Sequence, residues 1–132
     1  MSKTKETNTE LLKKEKIQTY TYDEVLSSSI KYFNGDELAA TTWMNKYAMK
    51  DFNDNYVEQN PSDMHRRMAK EFGRIEAQFG GDRALSEDQI YDLLKDFKYI
   101  VPQGSPMMGI GNNHVNVSLS NCVVVDSPND NV

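Results

Sequence analysis

The segment from residue 101 to residue 126, VPQGSPMMGIGNNHVNVSLSNCVVVD, constrains the fold of this chain more than any other segment. Gly104-Ser105-Pro106 predicts a turn that carries a hydroxyl, and the glycines and asparagines of residues 109–113 predict a flexible loop. Residues 115–125 then predict one long strand, which alternates at first and is continuously apolar from Cys122 to Val125. No second strand of comparable quality is present, so this strand is expected to pair with strands from another chain.

Ahead of that segment, amphipathic patterns over residues 21–100 predict a domain of four helices. The predicted boundaries are Thr21 to Asn34-Gly35, Asp36 to about Met49, Asn60 to Gly80-Gly81, and Ser86 to about Lys98. The third helix has the strongest pattern, because five apolar side chains recur at steps of three and four: Met64, Met68, Phe72, Ile75 and Phe79. These stripes predict one helical core, in which Trp43 of the second helix is also expected to lie.

The composition is that of a soluble acidic protein. The 132 residues carry a net charge of −5 and are 38% hydrophobic, and no apolar run reaches the roughly 18 residues of a membrane span. The negative charge argues against general nucleic-acid binding. One cysteine and no apolar leader favour the reducing cytoplasm. Residues 1–20 are predicted to be a flexible polar tail.

Standard catalytic motifs for phosphate loops, zinc pairs and dithiols are absent from the sequence. His65-Arg66-Arg67 could contact phosphate, but such a cluster is more often a solvated helix face. A polar loop with Asp51, Asp54 and Asn55 lacks the spacing of a calcium site. By residue chemistry alone, Cys122 in an apolar strand is more often an inert small side chain than a reactive thiol.

Three segments nevertheless resemble the N-terminal part of a ribonucleotide reductase catalytic chain. They are TYDEVLSSSIKYFNGDELAATTWMNKYAMKD at residues 21–51, NPSDMHRRMAKEFGRIEAQF at residues 60–79, and LLKDFKYIVPQGSPMMGIGNNHVNVSLSNCVVVD at residues 93–126. The likeness is strongest to the adenosylcobalamin-dependent (class II) enzymes, with the radical-subunit-dependent class I left open. The resemblance implies a helical N-terminal domain followed by the first strand of an incomplete ten-stranded α/β barrel, spanning residues 101–132.

The resemblance also implies roles for single residues. Cys122 matches one of the two thiols that reduce the ribonucleotide and become a disulfide. Ser105 matches a hydroxyl that holds the substrate phosphates, and Asn121 matches another substrate contact. Asp130 lies near the position of an acidic residue of the dNTP effector site, with a looser match. No metal ligand is implied in this part of the chain.

The remaining barrel strands, the second reducing cysteine and the radical-bearing cysteine have no counterpart in these 132 residues. The resemblance therefore implies either one piece of a split catalytic subunit, in which a second chain completes the barrel, or a truncated remnant. Its expected partners are the ribonucleotide substrate, a thioredoxin-type reductant, and either adenosylcobalamin or a radical-generating subunit. Nucleic acid and membranes are not expected partners. The alternative is a non-catalytic helical module that binds and regulates a reductase or another partner.

Overall fold

The computed structural model describes residues 17–120 and residue 122, and within them the protein is helical. Five α-helices follow in chain order: α1 (Tyr22–Tyr32), α2 (Glu37–Lys46), α3 (Pro61–Phe79), α4 (Glu87–Leu94) and α5 (Gly104–Gly109). Short 3₁₀ turns follow α3 and α4, at Gly81–Arg83 and Lys95–Phe97. Helix α1 packs on α2, and α3 packs on α4. The predicted mainly helical domain is therefore confirmed, and α5 is an additional helix.

Capping residues set the helix starts where the sequence predicts them, whereas α2 and α4 end three and four residues earlier than predicted. Thr21 and Glu24 form a capping box at the start of α1, and Ser86 and Gln89 form another at the start of α4. Helix α1 ends before Gly35, whose φ of 96° is a left-handed conformation that glycine adopts without strain. These local side-chain bonds explain why four helix starts can be predicted from sequence.

The core lies where the four longer helices meet. Trp43 is 3% exposed and donates its indole N–H to the sulfur of Met64 over 3.4 Å, so it is a core residue as predicted. The most buried apolar residues around it belong to all four of those helices and to the segment before α3: Val25, Ala40, Met44, Tyr56, Met68, Ala69, Ile90 and Leu94. Burial of this cluster is what orients the helices.

The apolar stripe of α3 is buried only along its first half. Met64 and Met68 are enclosed, Phe72 is half-buried at the edge of the core, and Phe79 is 82% exposed. The periodicity that predicts one continuous buried face is therefore correct for the start of the helix and wrong for its end. Helix α4 is the main helical neighbour of α3, and it has eight residues against the nineteen of α3.

The cap of α3 also ties two helices together. The Asn60 side chain accepts the N–H of Ser62 at 2.9 Å and donates to the Ser28 hydroxyl of α1 at 2.9 Å. Asn60→Ala is therefore expected to lower the free energy of unfolding by about 0.5–2 kcal/mol. Urea denaturation measures this loss, with Asn45→Ala on the exposed side of α2 as the control that should cost nothing. Equal stability of the two variants would contradict a capping role for Asn60.

The predicted barrel strand does not form in the part of the chain that the structure describes. Residues 115–120 and Cys122 have irregular backbone, and Leu119 is 54% exposed. Only isolated bridges occur among the described residues, joining Tyr56 to Tyr20 and to Lys50. A strand requires backbone partners on a neighbouring strand, and within residues 17–120 these residues have none. Residues 121 and 123–125 of the predicted strand lie outside the described residues.

Among the described residues, no helix combines the length and apolar character needed to cross a membrane.

Candidate functional site

Ser105, the predicted phosphate contact, lies in the first turn of α5. The sequence prediction of a turn at Gly104-Ser105-Pro106 is wrong, because these residues begin a six-residue helix after Gln103. Pro106 is compatible with this placement, since the first helical turn needs no N–H donor from it. Gly104 lies against the ring of Tyr47, and a Cβ there would be 3.2 Å from the ring edge. Glycine therefore allows α5 to pack closely against the end of α2.

The other end of α5 is held by the guanidinium group of Arg67, a residue of α3. Arg67 donates to the backbone carbonyl of Met107 at 2.7 Å and to the carbonyl of Ile110. Its Nε donates to Glu58 Oε1 at 2.6 Å. One guanidinium thus satisfies two carbonyls at the C-terminal end of α5, where a positive charge also complements the helix dipole. We call Arg67, Glu58 and these two carbonyls the Arg67 network.

The Arg67 network is buried. The side chains of Arg67 and Glu58 are 8% and 3% exposed. The second oxygen of Glu58 accepts the N–H of Met49 at 2.8 Å, so both carboxylate oxygens have donors. Burial raises the pKa of Glu58 above its usual value, and the neighbouring Arg67 charge opposes that rise. The pair is therefore a buried charge couple whose two members depend on each other.

Gly111 brings the chain after α5 onto the backbone of α3. Its φ is 70°, and a Cβ there would be 3.0 Å from Arg67 Cγ and 3.1 Å from the Arg67 carbonyl oxygen. Both the left-handed conformation and the close approach require glycine. The segment from Gly104 to Gly111 is therefore fixed at both ends by glycine contacts and in the middle by Arg67.

The structure overturns the interpretation of His65-Arg66-Arg67 as a solvated helix face. Only Arg66 is exposed, where it bonds to Asp88 at 2.8 Å and lies 3.7 Å from the centre of the Tyr91 ring. His65 is fully buried, and Arg67 lies in the network described above. The sequence spacing indicates that both side chains face the core, because His65 falls within the apolar stripe of α3 and Arg67 follows Met64 by three positions. Nothing in the sequence marks Glu58 as the partner.

His65 is a second buried polar group. Both ring nitrogens lie without a hydrogen-bond partner, and the ring packs edge-on against Phe97 with 4.5 Å between the centres. Burial lowers the pKa of His65 to about 4, and the charge of Asp96 acts in the opposite direction. Nearby, burial and then the Asp96 charge raise the pKa of Tyr32 to about 12. Both groups are therefore neutral at physiological pH.

An apolar groove of about 350 Å³ opens beside α5, with Met107, Tyr47 and Trp43 among its walls. Its charged group is the carboxylate of Asp36, which accepts the N–H of Ala39 at 2.9 Å as the cap of α2. The negative charge repels phosphate, and the apolar walls offer it no hydrogen bonds. The groove is therefore unsuited to phosphate.

Of the remaining predicted site residues, the structure describes only Cys122. Cys122 is exposed and has irregular backbone. Asn121 and Asp130 lie outside the described residues. Within residues 17–120 and 122, no group of three His, Cys, Asp or Glu side chains is placed to hold a metal ion.

Neither the curated proteins nor the solved structures contain a match to this chain. Among protein-family models, residues 33–114 match the ribonucleotide reductase all-alpha domain. The match begins at the end of α1 and extends through α5 to His114, so it includes the Arg67 network. Because it covers more than half of the 132 residues, the chain belongs to the ribonucleotide reductase family and carries that family's all-alpha domain.

Proposed function

We propose that this chain supplies the N-terminal part of a ribonucleotide reductase catalytic subunit, and that a second polypeptide completes the barrel. The observation that carries the proposal is the all-alpha domain match over residues 33–114, which includes the helix bearing Ser105. The complete assembly reduces ribonucleotides to deoxyribonucleotides in the cytoplasm. The chain alone is inactive.

Cys122 provides one of the two reducing thiols of the assembly. The ribose hydroxyl leaves as water and is replaced by hydrogen, while two thiols lose two electrons and two protons and form a disulfide. A disulfide needs two cysteines, and the 132 residues contain only Cys122, so the second thiol lies outside these residues. The exposure of Cys122 supports this role, because a thiol that must meet a second chain has to be accessible.

Ser105 and Asn121 contact the substrate, with Ser105 on its phosphate groups. A small hydroxyl next to Gly104 allows a phosphate oxygen to approach both the side chain and the backbone closely. Asp130 contributes to the dNTP effector site. The radical generator, which is adenosylcobalamin if the class II likeness holds and a separate subunit otherwise, is bound by the completing chain. A thioredoxin-type protein then reduces the disulfide.

The redox role of Cys122 is tested by Cys122→Ser in the assembled reductase. We expect nucleotide affinity to persist and multiple turnover to be lost, because a hydroxyl cannot form the disulfide that stores the oxidising equivalents. The measurement is steady-state deoxyribonucleotide formation with a thiol reductant.

Ser118→Ala, in the same exposed segment, is the matched control and should turn over normally. If Cys122→Ser turned over at the unmodified rate, Cys122 would not be a redox thiol. If no assembly with a completing chain showed activity and the chain instead altered the rate of an intact reductase, the regulatory alternative would replace the proposal.

A further inference from the structure

The Arg67 network connects the core of the helical domain to the helix that carries Ser105. Arg67 is anchored at one end by α3 and on one side by Glu58, whose carboxylate is itself held by the N–H of Met49. Its two outer nitrogens reach the carbonyls of Met107 and Ile110, forty and forty-three residues further along the chain. The guanidinium group therefore helps to set the position of α5 relative to the core, together with the close contacts of Gly104 and Gly111.

We propose that Arg67 is a positioning residue for substrate binding: it holds α5 in the orientation that presents Ser105 to the substrate phosphates. This inference rests on the proposed function of Ser105. Arg67 acts through α5 and does not touch phosphate, because its side chain is 8% exposed and its charge is already paired with Glu58. An anion outside the domain has no access to that charge.

The geometry requires arginine at this position. A guanidinium group has five N–H donors in a rigid planar fork, so it can serve Glu58 and two separate carbonyls at once. A lysine ammonium group is a compact point charge on a flexible stem. It can neutralise Glu58, but it cannot hold the two carbonyls of α5 in fixed directions. Arg67→Lys therefore keeps the positive charge that neutralises Glu58 but removes the paired contacts that orient α5.

The first measurement is amide hydrogen exchange in the full chain. The N–H of Met107 bonds to the carbonyl of Gln103 at 3.0 Å, and the N–H of Ile110 bonds to that of Pro106 at 3.0 Å, so both amides report on α5. In Arg67→Lys we expect both to exchange about tenfold faster, the effect of losing a charge-assisted hydrogen bond, while core amides of α3 keep their protection. Arg66→Lys is the matched control, since Arg66 bonds to the exposed Asp88 and not to α5.

The second measurement is steady-state kinetics of the assembled reductase with its nucleotide substrate. Loss of folded protein alone would lower kcat and leave KM unchanged. Misplacement of a substrate-binding hydroxyl should instead raise KM about threefold to tenfold in Arg67→Lys, with kcat nearly unchanged. Ser105→Ala should raise KM in the same way, and the double variant should add little to either single variant.

Wild-type exchange rates at Met107 and Ile110 in folded Arg67→Lys would overturn the inference, as would an unchanged KM in a reductase where Ser105→Ala raises KM. If Ser105→Ala left KM unchanged while Arg67→Lys raised it, the substrate role of Ser105 in the proposed function would be wrong. Arg67 would then position α5 for a substrate contact made by a different residue of the same helix.

Discussion

Arg67→Met is expected to lower the free energy of unfolding by about 3–5 kcal/mol, the loss typical of removing one member of a buried ion pair. The variant leaves Glu58 as a carboxylate with 3% side-chain exposure and no counter-charge. It also removes the donor from the carbonyls of Met107 and Ile110. Methionine fills much of the same volume, so the loss reports on charge and hydrogen bonding more than on packing.

Urea denaturation followed by the fluorescence of Trp43, the only tryptophan of the chain, measures this loss. Arg66→Met is the control at the next position. Its side chain is 45% exposed, so the variant should lose no more than about 1 kcal/mol. A loss below about 1 kcal/mol in Arg67→Met as well would mean that the buried pair contributes nothing beyond a surface pair.

The pH dependence of the Arg67→Met variant gives an independent check. Burial raises the pKa of Glu58, and removal of Arg67 removes the charge that opposes this rise. A carboxyl group whose pKa is raised in the folded state is most stable when protonated, so its contribution is lost as pH rises through that pKa. The variant should therefore be less destabilised at pH 5 than at pH 8. Glu58→Met combined with Arg67→Met should recover much of the loss, because no unpaired charge then remains.

Acidification is expected to destabilise the protein by about 3 kcal/mol through His65 alone, between pH 7 and pH 4. Burial lowers the pKa of the folded state from 6.5 to about 4. The unfolded chain therefore binds a proton in this range that the folded chain does not bind. Stability rises with pH wherever the unfolded state holds more protons, so the contribution of His65 is present at pH 7 and lost as pH falls towards 4.

The test compares unfolding free energies of the wild-type chain and His65→Leu across this pH range. Carboxylates titrate there in both proteins, so the difference between the two curves isolates His65. We expect the difference to change by about 3 kcal/mol, with His65→Leu less sensitive to acid. Phe97→Leu is the control, since it removes the ring packed on His65 but keeps the imidazole, and its acid sensitivity should remain. Parallel curves for wild type and His65→Leu would show that His65 is protonated without cost.

Much of the helical domain can be predicted from sequence because its signals are local. Thr21, Asn60 and Ser86 cap helices through side-chain bonds that span two or three residues, and Gly35 ends a helix through its own backbone conformation. Each of these effects depends on residue type and on near neighbours, which is what a single sequence contains.

The candidate site is harder to predict because its contacts are not local. Glu58 and Arg67 are nine residues apart and look like ordinary surface charges, and the carbonyls that complete the network belong to a distant segment. Helix α5 contains two glycines and a proline in six residues, so its intrinsic helix propensity is poor. It is stabilised by contacts with Tyr47 and Arg67, which the sequence of α5 does not reveal. The β-branched residues after α5 predict a strand that does not form among the described residues, because strand propensity depends on the neighbours against which a strand packs and pairs.

The length of the chain enclosed by the Arg67 contacts has a kinetic consequence. Helices α1 and α2, and likewise α3 and α4, contact close neighbours in sequence, whereas Arg67 reaches carbonyls forty and forty-three residues away. Contacts of high sequence separation form late, because the loop that they close must first lose its conformational entropy. We therefore expect α5 to dock late in folding and to detach early in unfolding, so loss of Arg67 should speed unfolding and leave the folding rate nearly unchanged. On a growing chain, the helical core can form before the segment that bears Ser105 and Cys122 has been synthesised.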